Sequence, residues 1–154
     1  MTGTDETFTL IPAHQLDILR PMKVSVVQAV AITTVDRPNL IVDGAIDYSL
    51  QGAPRGMASH LIQWANQQAA PILSLDVPSG TDTATGTVYE PAIRARATMT
   101  LALPKEGLRA PGVEARVGEG YLADISVPPG LYAEATLALE VGNLFAESEI
   151  FRLR

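Results

Sequence analysis

The chain has 154 residues, 47% of them apolar and 18% charged, which is the balance of one folded domain (1–154) with a real core and not of a disordered segment. Eleven Lys plus Arg against seventeen Asp plus Glu give a formal charge of -6, a sign that repels phosphate backbones and acidic bilayers and sets both aside as partners. With no cysteine there is neither disulfide nor thiolate metal site, no apolar run is long enough to span a bilayer, and the first six residues lack the basic and apolar regions of a signal peptide, so the expected location is cytoplasmic.

In chain order, residues 1–7 are polar and without period, and read as a tail. Residues 8–11 are a short strand or an apolar anchor, and Pro12 opens a helix carrying Leu16, Leu19 and Met22 on one side until Pro21 limits it. The Val-rich run 23–31 reads as a strand, closed by the loop 33–38. The run 39–44 is aliphatic and stops at Asp43-Gly44; the run 72–80 does the same at Asp76-Val77-Pro78-Ser79-Gly80. Asp, Pro and Gly cannot continue a buried strand, so both carboxylates belong at strand ends. Between the two runs, residues 56–68 place Met57, Leu61, Trp64 and Ala65 on one helical face and His60, Gln63 and Gln67 on the other. Strand, helix and strand make a βαβ unit, whose right-handed crossover sets the strands parallel and puts Asp43 and Asp76 on one sheet edge, the edge where open α/β sheets bind ligands. Asp also ends strands and caps helices for purely structural reasons; it is the pair on one edge that points to a site.

Beyond Gly80, residues 81–86 form a turn-rich loop that is either a plain surface loop or an anion cradle. Residues 97–103 read as a further interior strand ended by Pro104-Lys105-Glu106-Gly107, which puts Lys105 at a strand end too, and residues 121–125 read as another. Residues 137–153 specify no element. Gly118-Glu119-Gly120-Tyr121-Leu122-Ala123 fits a dinucleotide fingerprint formally but precedes a strand instead of following one, so it carries no nucleotide-binding meaning. Ser79 lacks the glycine pattern of a nucleophile elbow, and His14 and His60 are isolated, so neither a serine hydrolase nor a histidine metal site is expected. Asp43, the Ser79 hydroxyl and nearby carbonyls would suit a hard cation.

Taken together, Leu40-Ile41-Val42-Asp43, Gly52-Ala53-Pro54-Arg55-Gly56, Leu73-Ser74-Leu75-Asp76-Val77-Pro78-Ser79-Gly80-Thr81-Asp82, Thr85-Gly86 and Pro104-Lys105-Glu106-Gly107-Leu108 resemble the YjeF N-terminal domain family, the NAD(P)H-hydrate epimerases, from about His14 onward. The resemblance implies an α/β fold, a Rossmann-like three-layer αβα sandwich with a mostly parallel central sheet. It implies an isomerase that epimerises hydrated NAD(P)H, with Asp76 as general acid or base. It further implies a substrate surface from Asp47, Tyr48, Ser49, Leu50, Gln51, Gly52 and Ala53 with Asp76 and Lys105, a potassium ion held by Asp43 and Ser79, and no tightly bound organic cofactor.

This sequence departs from the family pattern in three places. The family's Asn-Asn-Gly-Gly-Asp-Gly phosphate loop falls upstream of His14 and does not occur in these residues, a shortened form in which the phosphate and cation sites are expected to be incomplete. Asp47-Tyr48-Ser49 replaces the usual Gly-Thr-Gly, adding charge and bulk where backbone approaches substrate, and Arg96 stands where Asp is commoner. A non-catalytic nucleotide-binding or interaction module of the same fold is the alternative reading, and a sheet edge left open predicts a homo-oligomer in either case.

Overall fold

Short runs of Ile, Val, Leu and Thr give five strands, β1 (Ile41–Asp43), β2 (Ile72–Leu75), β3 (Ala97–Leu101), β4 (Glu119–Ala123) and β5 (Ile150–Arg152), in one sheet of that spatial order. The computed structural model describes residues 10–46, 50–134 and 136–154. The first four strands are parallel and β5 runs antiparallel to β4. The helices among the described residues are α1 (Leu10–Leu19), α2 (Gly56–Gln67), α3 (Glu114–Val117) and α4 (Pro129–Tyr132), with 3-10 turns at Ala29–Thr34 and Glu106–Arg109. This is the expected α/β architecture with a mostly parallel sheet.

Each parallel connection steps to the next strand in the same direction, so right-handed crossovers fall on one face of the sheet. The packing agrees. Ile62 and Ala65 of α2 are buried against Ile72, Ile93 and Ala95, and fully burying one such aliphatic side chain is worth roughly 1.5–3 kcal/mol. Thr98 pairs in register with Ser74, two residues along from Ile72 and therefore on its face. Its hydroxyl donates to the Val117 carbonyl at 2.7 Å, which brings α3 over that same face. There Val77, Leu108, Val113 and Val117 form a second core. On the opposite face Val42 and Leu75 stay exposed.

The long β2–β3 connection has no helix and is pinned by side chains instead. Asn66 of α2 donates to the Ala92 carbonyl at 2.8 Å and accepts from the Arg94 N–H at 2.9 Å, and Arg116 of α3 pairs with Glu90 at 2.5 Å. Gly80 has φ +100, and a Cβ there would lie 2.7 Å from Ala92 Cα, so this segment closes on the sheet only with glycine at that position.

Several expectations change. The α1 helix begins at Leu10, so Ile11 is helical, and Pro12 sits in the first turn, where its missing N–H is not needed. Phe8 lies outside the described residues. Residues 23–31 are not a strand: an irregular segment runs into the 3-10 turn, with Val24, Val26 and Val27 exposed. The β preference of Val reflects packing on a paired, half-buried surface, and among the described residues this run pairs with no strand. In α2 the deepest residue is Ile62, which the expected stripe left out because it lies between Leu61 and Ala65 at the stripe's edge. Finally, β4 starts at Glu119 and so absorbs the glycine-spaced run. Gly118 (φ +62) serves the turn into the strand, where a Cβ would sit 2.3 Å from the Arg96 carbonyl oxygen.

Candidate active site

Parallel pairing brings the carboxyl ends of β1 to β4 to one edge, where Asp43 closes β1 and Asp76 follows β2. The two carboxylates form separate clusters. Asp43 is buried, and both its oxygens are engaged. Its Oδ2 accepts from the Ser74 hydroxyl at 2.8 Å and the Ser79 N–H at 2.9 Å; its Oδ1 accepts from the Ser79 hydroxyl at 2.6 Å and the Ala45 N–H at 3.4 Å. Ser79 Oγ in turn accepts from the Ile46 N–H at 2.9 Å and lies 3.4 Å from the Ile46 carbonyl oxygen. Among the described residues Asp43 has no basic side chain as partner, so a buried negative charge rests on hydrogen bonds alone. The sequence-predicted pair Asp43 and Ser79 is thus brought together, with Ser74 added.

Asp76 sits differently. The ladder continues to its N–H, which donates to the Met99 carbonyl at 2.8 Å, and then Val77 N–H turns back to the Leu75 carbonyl at 2.8 Å. That i to i+2 bond with φ +64 at Asp76 is a tight γ-turn of the uncommon positive-φ kind. It recurs one strand over, where Ala102 has φ +64 and Leu103 N–H bonds the Leu101 carbonyl. A left-handed conformation costs a non-glycine residue roughly 1–2 kcal/mol. At Asp76 that cost is offset by what the turn achieves: Oδ1 accepts from the Leu101 N–H at 2.9 Å, the Thr100 hydroxyl at 3.2 Å and the Lys105 ammonium. Lys105 also donates to the Leu101 carbonyl at 2.7 Å. Every one of these bonds lands on Oδ1, and Oδ2 carries none among the described residues. A half-buried carboxylate is therefore fixed by one oxygen and presents the other.

Of the remaining sequence-predicted site residues, Asp47, Tyr48 and Ser49 lie outside the described residues. Leu50, Gln51, Gly52 and Ala53 follow them between β1 and α2, with Gln51 and Ala53 exposed and Gly52 at φ +84. Lys105, expected on the substrate surface, is bonded to Asp76. Ser74 and Thr100 belong to the two clusters and were not singled out in the sequence. The signal available for both is a hydroxyl on the inward face of an otherwise apolar strand.

The loop 81–86 is occupied by its own side chain. Asp82 Oδ1 accepts from the N–H groups of Ala84 and Thr85 at 3.0 and 2.7 Å and from the Thr85 hydroxyl at 2.9 Å, which uses the donors an anion would need. The Thr85 N–H, then the Thr85 hydroxyl, holds the Asp82 carboxyl below its usual value of 3.8. Because the folded-state value is depressed, the contribution of Asp82 to stability is present above that pH and is lost as pH falls through the lower folded value. Comparison with Asp82→Ala in acid titrations of unfolding should show a stability gap at neutral pH that closes below about pH 3.8; a gap that persists unchanged at lower pH would contradict the assignment.

Fold and site together define a class: a mostly parallel α/β domain with two carboxylates at the strand-end edge where open α/β sheets as a class bind ligands. The model of the family described as YjeF-related protein N-terminus matches residues 3–107, and the chain belongs to that family. The chain is 41% identical over 99 residues to an NAD(P)H-hydrate epimerase of Dehalogenimonas lykanthroporepellens, a match covering 64% of this chain and 39% of that protein. It is 40% identical over 93 residues to the bifunctional NAD(P)H-hydrate repair enzyme Nnr of Salinibacter ruber, covering 60% of this chain and 17% of that protein. The chain thus spans well under half the length of these relatives. The crystal structure of yeast ynu0, YNL200c, superposes with a TM-score of 0.73 at 19% identity, covering 96% of this chain and 62% of that one, and shares the fold.

The family's potassium ion can be tested against the Asp43 cluster. The donor set, a carboxylate, a hydroxyl and the Ile46 carbonyl oxygen, is all hard oxygen, and the buried carboxylate lacks a cationic partner among the described residues. These are the ligands a hard monovalent cation takes, and they fit it. No group of three or more His, Cys, Asp and Glu side chains suited to a metal occurs among the described residues.

Proposed function

We propose that this chain is an NAD(P)H-hydrate epimerase acting on hydrated NADH or NADPH. The observation that carries the reading is Asp76, held through Oδ1 by Leu101, Thr100 and Lys105 with Oδ2 left open at the sheet edge. Inverting a hydroxyl-bearing ring carbon requires one of its bonds to a heteroatom to break and re-form on the other face, with a proton taken in one step and returned in the other, and a positioned carboxylate can move that proton both ways. Relatives named for this reaction, about 40% identical over the matched residues, support it. In this reading the segment 47–53 lies against the substrate. Lys105 has three N–H donors, two of them used, and its third is available to a substrate phosphate. Asp43, Ser79 and the Ile46 carbonyl would hold potassium, which when bound supplies positive charge beside the anionic substrate. The Ser79 N–H and the Ser74 hydroxyl keep Asp43 oriented for that role.

The test follows a single epimer of hydrated NADH, incubated with the protein in potassium and separately in sodium, by chromatography. The other epimer should appear faster than in buffer alone and faster in potassium than in sodium; no excess over buffer in either salt would contradict the reading.

The outer edge of β1 supports a second element of the proposal, association of two copies. Ile41 N–H bonds the Pro71 carbonyl just before β2, so Leu40 and Val42 turn their backbone groups outward, and their side chains are each 54% exposed. An apolar strand edge without Lys or Pro to blunt it invites pairing with another strand. Light scattering on the eluting protein should give a dimer mass; a monomer mass at high concentration would contradict it.

A further inference from the structure

A cavity of about 400 Å³ lies on the α3 side of β3 and β4, closed by the 3-10 turn Glu106–Arg109 and the end of the chain. Its walls are mainly apolar: Leu108, Val117 and Leu153 line it, and Thr98 and Thr100 line it with their hydroxyls committed to Val117 and Asp76. Its charged side chains are all basic. Lys105, Arg109 and Arg154 are part of the lining and no Asp or Glu is, in a chain where acidic residues outnumber basic ones seventeen to eleven. Lys105 is committed to Asp76. The guanidinium groups of Arg109 and Arg154 make neither an ion pair nor a hydrogen bond with the described residues.

We infer that this cavity binds an organic anion with an apolar body, a carboxylate or phosphate monoester carried on a short alkyl chain or a single ring. The volume is at the small end of ligand pockets. Guanidinium groups present paired donors to carboxylate and phosphate alike, so the two arginines are matched to that head group, and the aliphatic wall takes the body. The site is distinct from the Asp43 cluster and meets the Asp76 cluster only through Thr100 and Lys105. It rests on the cavity's shape and charge and not on the epimerase reading, so an inactive protein would still be expected to bind.

The test is isothermal titration of the full chain with octanoate, with phenyl phosphate and with the uncharged octanamide. At least one of the two anions should bind saturably, the tighter one naming the head group, and octanamide should bind about tenfold more weakly or not at all, since a charge-assisted contact is worth on the order of one decade. The double variant Arg109→Gln, Arg154→Gln should lose about tenfold in affinity for the anion while unfolding at an unchanged temperature. Leu153→Trp, at the half-exposed end of the wall, should block binding by filling the cavity. Saturable binding of neither anion, equal binding of octanamide, or unaltered affinity in the double variant would each overturn the assignment.

Discussion

If the chain acts as proposed, replacing Asp76 by Asn should lower the rate of epimerisation by about 10²- to 10⁴-fold, the usual contribution of a positioned general acid or base, while the protein stays folded. The geometry separates the two effects. Asn keeps an acceptor for the Leu101 N–H and the Thr100 hydroxyl, so the γ-turn and the end of β2 survive; what disappears is a group able to take and return a proton, together with the charge facing Lys105. The decisive readout is kcat with little change in KM, because a lost proton acceptor acts in the transition state and not on binding alone. A D76N protein with wild-type kcat would remove Asp76 from the chemistry. Lys105→Met should also lower kcat, by less, since Leu101 and Thr100 still hold the carboxylate.

Replacing Asp43 by Ala should destabilise the protein by about 3 kcal/mol, because the Ser79 N–H and the Ser74 hydroxyl are left buried without an acceptor and the Ser79 hydroxyl keeps only the longer contact to the Ile46 carbonyl. For a chain of this length that corresponds to a fall in Tm of roughly 6–12 °C. Asp43→Asn should cost only about 1 kcal/mol. Its carbonyl can replace Oδ2 toward Ser79 N–H and Ser74, and its amide can donate to Ser79 Oγ, which rotates to accept. The same variant loses the negative charge, so it should also lose the difference between potassium and sodium in the epimerisation assay. Chemical denaturation checks the first expectation. Equal losses for Ala and Asn would show that the charge itself, and not its hydrogen bonds, holds the site together.

The parts of this molecule that were legible in the sequence are those where a local pattern and the fold demand the same thing. Two aliphatic runs stopping at Asp located β1, β2 and the edge that carries both carboxylates, and the amphipathic span between them located α2, because burial between parallel strands leaves little freedom in residue choice. Ser79 was legible as a partner of Asp43 because the Pro-Ser-Gly turn returns the chain to that edge. Lys105 was legible as a strand-end cation, but its bond to Asp76 was not: 29 residues separate them, and only the register of β2 on β3 brings them together. Ser74 and Thr100 offered only an inward-facing hydroxyl in an apolar run, a signal that does not name its partner until the neighbouring strand is known. Residues 23–31 have the composition of a strand without a strand to pair with, which composition cannot reveal. For β5, two of its three residues are exposed, so its pairing on β4 left no alternation to read.

Asp76 is proposed to make this sheet edge an epimerisation site, and a single time course decides the claim. A single epimer of hydrated NADPH in potassium buffer, sampled by chromatography with the wild-type protein, with D76N and with no protein, should approach the two-epimer equilibrium quickly in the first case and at the spontaneous rate in the other two. Wild-type protein no faster than buffer, or D76N as fast as wild type, would contradict the claim.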